Sequence, residues 1–302
     1  MFSHSKNVVV SGGQFTAIQQ GSSTSGMDLY FSVWKHMPDV LVGIKELGQA
    51  SAPAAIHNSG ERVNAQKCHP NTRVAELDRI MCWILHEENS EALIMWLFGP
   101  TGSGKSVIAQ TLAERCYTLG NLLASFFFSR SDPSRNHPRS LFATIAYQVV
   151  MNFPDSRDTI TRVPEQDPLV FTRSFEAQLT SLIIEPLQQL YLAGRRTGSS
   201  DPYLIIIDGL DECANPQLQV SILNSISKAL KTCTFPLKFF ISSRPELHLT
   251  TEFNSKITKP ILTHLALDNK FLPVNNDTIR ICDTTDRLDK LRRLMTKNNL
   301  DY

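Results

Sequence analysis

Residues 92–106 read ALIMWLFGPTGSGKS, and this stretch decides the fold of the chain. Its first seven residues form a continuous apolar run, which is typical of a β-strand buried on both faces. The next eight, residues 99–106, match the pattern GxxxxGK(S/T) at every fixed position, and an amphipathic segment follows at residues 107–119. Since a buried strand leads directly into a glycine-rich turn and then a helix, the stretch predicts a phosphate-binding loop.

Residues 99–106 contain the groups that phosphate binding requires. The glycines let successive backbone N–H groups turn inward as an anion-binding nest, and the helix start adds the positive end of its dipole. Lys105 is expected to reach the β- and γ-phosphates, and the Ser106 hydroxyl to bind Mg²⁺. The alternative, a glycine-rich turn before an ordinary helix, is disfavoured by the strand in front. The predicted nucleotide-binding residues are Gly99, Pro100, Thr101, Gly102, Ser103, Gly104, Lys105, Ser106 and Val107.

A second motif lies about a hundred residues further on, where an apolar run ends in a carboxylate in the sequence LIIIDGLDE, residues 204–212. An acid at the carboxyl end of a parallel strand projects into the crevice where ligands bind, so Asp208 is predicted to hold Mg²⁺. Glu212, or less favourably Asp211, is predicted to orient or deprotonate an attacking water. The alternative is an acidic strand-to-helix turn with solvated carboxylates.

A third motif, FFISSRPE, covers residues 239–246 and places Arg244 just after an apolar run. In a phosphoryl-transfer site an arginine at this place interacts with the γ-phosphate and stabilises its developing charge. The alternative is a surface arginine in a salt bridge. The predicted catalytic residues are therefore Glu212, Asp211 and Arg244.

Apolar runs alternate with amphipathic segments along most of the chain. Predicted strands cover residues 92–98, 123–128, 203–207, 237–241 and 261–267. Predicted helices cover residues 38–50, 71–86, 107–119, 141–150, 171–192 and 218–230. The alternation predicts an α/β, three-layer fold with a mostly parallel sheet, preceded by a short helical N-terminal region.

The N-terminal region before that helix contains β-forming segments and a linker pattern. Residues 7–18 are short β-forming segments around Gly12 and Gly13, and predict either a small hairpin or an unpaired stretch. Residues 21–26, GSSTSG, are typical of a flexible linker. A β-forming signalling role is one interpretation of this leader, and a loose tail without a function is the preferred one.

The composition of the chain indicates which kinds of binding partner and which cellular compartment to expect. The chain of 302 residues has 30 basic and 29 acidic residues, so its charge balance predicts no nucleic-acid partner. No apolar run approaches the roughly 20 residues of a membrane span, and the start is unlike a signal peptide, so we expect a cytoplasmic protein without a membrane partner. The six cysteines lie far apart, as is typical of reduced thiols.

The motifs GPTGSGKS, LIIIDGLDE and FFISSRPE together resemble a NACHT-type P-loop NTPase domain, a branch of the signal-transducing (STAND) ATPases. The order of the motifs and the doubled acid of DGLDE are characteristic of that branch. Residues 68–73 (CHPNTR) and 140–150 (SLFATIAYQVV) resemble the fungal, particularly basidiomycete, members, which are also described as nephrocystin-like N-terminal domains. The resemblance covers about residues 63–267.

This resemblance implies a sheet in which the P-loop strand lies between the Arg244-bearing strand and an edge strand. It also implies ATP or ADP with Mg²⁺ as ligands, slow hydrolysis, and a nucleotide switch in fungal non-self recognition or cell death. Residues 70–73 are implied to lie near the adenine. The roles that the match carries over are Lys105 and Ser106 for phosphate and metal (the Walker A positions), Asp208 for Mg²⁺ (Walker B), Glu212 as the catalytic acid, and Arg244 as the sensor.

The predicted domains are a leader, linker and helix at 1–62, the NTPase domain at 63–268, and a tail at 269–302 that is a remnant of the next helical domain. Relatives continue into winged-helix and usually repeat domains, whereas this sequence ends at Tyr302, so the resemblance implies a truncated or isolated unit. The expected partners are an adenine nucleotide, a second copy through the NTPase domain, and an unidentified signalling protein.

Two function classes remain open at this stage. The first is a signalling switch with weak ATPase activity, which the presence of Glu212 favours. The second is a nucleotide-bound interaction module with negligible turnover, which the missing downstream domains favour. A GTPase is disfavoured because Asn269-Lys270 is followed by Phe271-Leu272 where a guanine reader has an aspartate. A small-molecule kinase is disfavoured because the doubled carboxylates suit water activation better.

Overall fold

The computed structural model describes residues 8–11, 14–17, 41–85, 91–194 and 202–267. The chain divides into two compact units, residues 1–42 and 43–302. In the first unit, strand β1 (Val8–Ser11) pairs antiparallel with β2 (Gln14–Ala17), so of the two alternatives for this segment the structure shows the hairpin. The predicted linker at 21–26 and the predicted tail at 269–302 lie outside the described residues.

A five-stranded parallel sheet forms the centre of the second unit. Its strands are β3 (Ile94–Phe98), β4 (Leu122–Phe127), β5 (Tyr203–Asp208), β6 (Leu237–Ser243) and β7 (Leu262–Ala266). They lie in the order β4-β5-β6-β3-β7, and every neighbouring pair is parallel. This order confirms the predicted α/β fold and places the P-loop strand β3 between β6 and the edge strand β7. Strand β6 separates β3 from the acid-bearing strand β5.

Helices surround the sheet on both sides. They are α1 (Leu41–Ala50), α2 (Val74–Leu85), α3 (Lys105–Leu119), α4 (Leu141–Asn152), α5 (Arg157–Gln166), α6 (Phe175–Leu179), α7 (Glu185–Leu192), α8 (Pro216–Thr232) and α9 (Leu247–Phe253). All six predicted helices are present, whereas α5 and α9 were not predicted. None of the helices in the described ranges combines the length and hydropathy that a membrane span needs.

The predicted helix at 171–192 begins later and is interrupted. Its start at Phe175 follows Ser174, whose hydroxyl accepts a hydrogen bond from the N–H of Ala177, as an N-cap does. A π-helical turn, Thr180–Ile184, then separates α6 from α7. Pro186 at the start of α7 lacks an N–H and its ring would collide with a carbonyl one turn earlier, and the wider π-turn removes that conflict.

The sheet is covered on both faces, which explains its unbroken apolar strands. Helices α2 and α3 pack on one face, in a core cluster that includes Leu204 and Ile206 of β5. The alternate residues Ile205 and Ile207 are also completely buried, as expected if other elements cover the opposite face.

Helix α4 closes the edge of the sheet at β4. The side-chain amide of Gln148 accepts a hydrogen bond from the N–H of Ser125 at 3.0 Å and donates to its carbonyl at 2.8 Å, much as a further strand would. Asn152 donates in the same way to the carbonyl of Leu123 at 2.9 Å. His57 also lies at this edge, where its N–H donates to Ser125 Oγ at 3.0 Å. Side chains therefore satisfy backbone groups that an open edge would expose.

Two glycines of α1 provide a paired test of this packing. A Cβ at Gly43 would lie 1.9 Å from the carbonyl oxygen of Thr161 in α5, whereas one at Gly48 would lie 3.8 Å from the ring of Tyr147. We expect Gly43→Ala to destabilise the fold by about 1–3 kcal/mol through overpacking. We expect Gly48→Ala to stabilise it by about 0.5–1 kcal/mol, because alanine favours the helix. Urea unfolding of both variants measures the difference, and shifts of the same sign would contradict it.

Candidate functional site

Residues 99–104 of the loop after β3 have the backbone geometry that glycine permits. Gly102 and Gly104 have φ angles of +79° and +89°, in the left-handed region where a side chain is strained. At Gly99 the constraint is space, since a Cβ there would lie 2.8 Å from Ser103 Oγ and 3.2 Å from Leu267 Cβ. Helix α3 begins directly afterwards at Lys105, so the loop ends at a helix N-terminus. Such a turn aims backbone N–H groups and a helix dipole at one place.

The Lys105 side chain folds across this loop. Its Nζ donates hydrogen bonds to the carbonyl oxygens of Gly99 and Pro100, both at 2.8 Å. Burial lowers the pKa of the ammonium below its usual value, while the negative charges of Asp211 and Asp208 raise it. The loop and the acidic turn, more than a hundred residues apart in sequence, are therefore close enough to interact electrostatically.

Asp208 ends strand β5 and is buried. Its carboxylate accepts hydrogen bonds from the hydroxyls of Ser242 and Ser106. Ser242 Oγ also accepts a hydrogen bond from the N–H of Gly209 at 3.0 Å, which holds the turn after the strand. Burial raises the pKa of the Asp208 carboxyl above its usual range, although both hydroxyl hydrogen bonds lower it.

The pair formed by Ser106 and Asp208 fits Mg²⁺. No group of three or more His, Cys, Asp or Glu side chains suited to hold a metal occurs in the described ranges. Mg²⁺ does not require one, because it keeps several waters and takes only one or two protein oxygens beside substrate phosphates. A hydroxyl at the start of α3 and a carboxylate at the end of β5 provide those oxygens.

The two acids of the turn after β5 have different partners. Gly209 has a φ of +71°, and the short 3₁₀ turn Leu210–Glu212 follows it. Asp211 is directed to Arg244, accepting a hydrogen bond from its backbone N–H at 2.8 Å and from its Nε at 2.6 Å. Glu212 is directed to the other side, where its Oε2 accepts a hydrogen bond from the backbone N–H of Arg130 at 3.0 Å. Asp211 and Glu212 are adjacent in sequence but bind different residues, Arg244 and Arg130.

Arg244 forms a salt bridge at the site itself. Only 5% of the Asp211 side chain is exposed, against 32% of the Arg244 side chain, and Glu246 binds the other end of the guanidinium at 2.9 Å. The hydrogen bond with Asp211 raises the pKa of Arg244 further. The salt-bridge interpretation and the sensor interpretation of this arginine are therefore compatible, because its ion pair lies beside the acidic turn.

Two further arginines lie near the loop, and neither belongs to the predicted phosphate-binding, metal or catalytic residues. Arg73, within the segment that the resemblance places near adenine, donates from Nη2 to the carbonyl of Ser103 at 3.0 Å and binds Glu76 at 2.7 Å. It does so from a left-handed backbone conformation, φ +57°, that is strained for arginine. The other is Arg62, which interacts electrostatically with Asp208. Sequence spacing contains no signal for either contact.

One known protein family matches the part of the chain that contains these motifs. The family model described as nephrocystin 3, N-terminal, matches residues 74–244, which is more than half of the chain. The matched segment contains the glycine-rich loop, the acidic turn and Arg244. A search of curated proteins found no match.

Proposed function

The chain belongs to the nephrocystin 3 N-terminal family, and from this premise we propose that it is a NACHT-type P-loop NTPase that binds ATP or ADP with Mg²⁺. We further propose slow ATP hydrolysis that acts as a nucleotide switch. The signalling context, fungal non-self recognition or cell death, rests on the sequence resemblance alone. So do self-association and an unidentified signalling partner.

One observation supports this proposal above the others. The Lys105 ammonium, at the end of the glycine-rich loop, interacts electrostatically with three acids: Asp211 and Glu212 of the turn and Asp208 at the end of β5. A phosphate-binding cation, a carboxylate for Mg²⁺ and a carboxylate for water meet where strands β3 and β5 end. This is the edge of a parallel sheet at which ligands bind.

Each group has a defined task in the proposed reaction. Residues 99–107 bind the phosphates through backbone N–H groups, with Lys105 compensating their charge. Ser106 and Asp208 would hold Mg²⁺, which would neutralise phosphate charge when bound. Glu212 accepts the proton of the attacking water, whose oxygen bonds to the γ-phosphorus while the bond to the ADP oxygen breaks.

Arg244 and Asp211 complete the proposed site. Arg244 stabilises negative charge that develops on the γ-phosphate. Asp211 acts as its positioning residue, since it holds the guanidinium at Nε and the backbone at N–H. Glu212 rather than Asp211 is therefore our assignment for the water.

A nucleotide-bound module with negligible turnover is the second candidate. Its support is the hydrogen bond from the Arg130 N–H to Glu212, which occupies a carboxylate oxygen that catalysis would use. In that case adenine nucleotide stabilises the fold by mass action without being consumed.

Thermal unfolding of the purified chain with Mg²⁺ and ATP, ADP or GTP tests nucleotide binding. We expect both adenine nucleotides to raise Tm, since a ligand at 100 times its Kd stabilises the folded state by about 2.7 kcal/mol. The supernatant of the denatured chain is assayed for ADP that copurified, because bound ligand would mask the shift. If no nucleotide shifts Tm and none copurifies, the proposed function is wrong.

A further inference from the structure

Arg62 precedes the segment that the family model matches and is not one of the predicted site residues. It nevertheless interacts electrostatically with Asp208 of the proposed metal site. It ends the short 3₁₀ turn Gly60–Arg62, which Ser59 caps by accepting a hydrogen bond from the N–H of Glu61. Its guanidinium lies over the ring of Phe127, with Cζ 3.8 Å from the centroid. Its Nη2 donates to Gln110 Oε1 at 3.0 Å.

One partner of Arg62 belongs to helix α3, which carries Ser106, and the other belongs to β4, the strand that pairs with the Asp208-bearing strand β5. Gln110 is one turn after Ser106 on α3, and residues four apart share a helix face. Phe127 of β4 is the strand partner of Asp208 in β5. The negative charge of Asp208 raises the pKa of Arg62, and Arg62 lowers that of Asp208. Arg62 is therefore held between α3, which presents the hydroxyl, and β4, which pairs with the strand that presents the carboxylate.

The hydrogen-bonding capacity of this guanidinium is largely unused. A guanidinium has five N–H donors, and the described residues give it one hydrogen-bond partner, Gln110. Its Nε is buried without any partner among them. Arg135 adds a second positive charge nearby, which together with burial lowers the pKa of Arg62. Asp208 supplies one negative charge to this pair of cations, and the unused donors of Arg62 can accommodate a second anion.

The sheet order places this arginine opposite Arg244. Strands β4 and β6 flank β5, so Arg62 on Phe127 and Arg244 after Ser243 lie on either side of the strand that ends in Asp208. Ser106 and Asp208 would hold Mg²⁺ beside the phosphates of a bound nucleoside triphosphate, and its terminal phosphate would then be the anion expected near Arg62.

We propose that Arg62 contacts the terminal phosphate of a bound nucleoside triphosphate and so distinguishes ATP from ADP. This inference rests on the proposed function, and it assigns the segment before the matched family region a part in the phosphate site. The fork of N–H donors in arginine suits two phosphate oxygens at once, which an ammonium cannot match.

The test measures Kd for MgATP and MgADP in the full chain, by displacement of a fluorescent ADP analogue, with Arg62→Gln and Arg62→Lys. Arg62→Gln is expected to weaken MgATP about 10-fold to 100-fold and MgADP less than about 3-fold, since a charge-assisted hydrogen bond to one phosphate is lost. The affinity of Arg62→Lys for MgATP is expected to lie between those of the wild type and Arg62→Gln. The control is Arg79→Gln, on α2, where burial also lowers the arginine pKa but no acid contributes.

The outcomes separate this inference from the function on which it rests. Wild-type chain that binds neither nucleotide contradicts the proposed function. Wild-type chain that binds both, with Arg62→Gln weakening both equally or neither, contradicts the inference alone and makes Arg62 a structural counter-ion of Asp208. If Arg62→Gln does not fold, Arg62→Lys decides, because an unchanged ratio of MgATP to MgADP affinity in that variant overturns the inference.

Discussion

Lys105→Ala is expected to abolish tight binding of ATP and ADP. The wild-type chain should gain about 5–10 °C in Tm with nucleotide at 100 times its Kd, because about 2.7 kcal/mol of ligand stabilisation shifts a domain of this size by roughly 2–4 °C per kcal/mol. The variant should gain nothing, since no cation remains to compensate the β- and γ-phosphates. Thermal unfolding with and without MgATP measures both values.

The structure also predicts how the same variant behaves without nucleotide. Lys105 Nζ donates to the carbonyl oxygens of Gly99 and Pro100, which lose this donor in Lys105→Ala. We expect a cost of about 1 kcal/mol in unfolding free energy, so the variant remains folded. The control is Lys67→Ala, an exposed lysine paired with Glu114 at 2.8 Å, which should keep the full nucleotide shift. Wild-type nucleotide affinity in Lys105→Ala would show that the site lies elsewhere.

Glu212→Gln is expected to lower the rate of ATP hydrolysis about 10²-fold to 10⁴-fold while nucleotide affinity changes little. The amide keeps an oxygen that can accept the hydrogen bond from the Arg130 N–H, so the turn should retain its geometry. It cannot accept a proton from water. Phosphate release under single-turnover conditions measures the rate, and displacement of a fluorescent ADP analogue measures the affinity.

This variant also separates the two proposed functions. Glu176→Gln is the matched control, because Glu176 is an exposed acid that is not part of the proposed site. It lies on α6 and pairs with Lys228 of α8. If the wild-type chain hydrolyses ATP and only Glu212→Gln loses the rate, the switch proposal is supported. Equal rates in all three chains would exclude Glu212 as the group that accepts the proton. No turnover in the wild type would favour the nucleotide-bound module.

The strands were predictable because burial on both faces imposes a continuous apolar run. Predicted residues 203–207 became Tyr203–Asp208, and predicted residues 237–241 became Leu237–Ser243. The polar residues that the motifs place after these apolar runs continue both strands, because Asp208 and Ser242 satisfy each other by a hydrogen bond between neighbouring strands. Hydropathy cannot anticipate a partner that tertiary structure supplies.

The two helices that were missed give weak signals in the sequence, one because it is polar and contains a proline and the other because it is short. Helix α5 contains Pro164 and is mostly polar, so it was not recognised although its buried residues Ile160, Thr161 and Pro164 lie at helical spacing. Helix α9 has seven residues and follows Pro245, so it offers less than the window in which a period can be recognised. Both form because they pack on larger elements, as α9 does when Phe253 stacks on Trp96 with centroids 4.2 Å apart.

The glycine-rich loop is the part of the site that local sequence determines. Its conformation depends on residues that are consecutive in the chain, because glycine is needed at positive φ and lysine and serine begin the helix that follows. The motif therefore implies its own geometry wherever a buried strand precedes it. The domain boundaries at 62/63 and 268/269 depend on contacts between residues far apart in the chain, and they stay predictions.

Tertiary structure alone decided which acid faces which partner and which arginines approach the loop. Asp211 and Glu212 are adjacent and chemically alike, and only the turn at Gly209 directs one to Arg244 and the other to Arg130. Arg62 interacts electrostatically with Asp208, 146 residues away along the chain, because Gln110 of α3 and Phe127 of β4 hold its guanidinium. Contacts of this kind depend on the order of the strands and the packing of helices on them, and residue spacing along the chain contains no record of either.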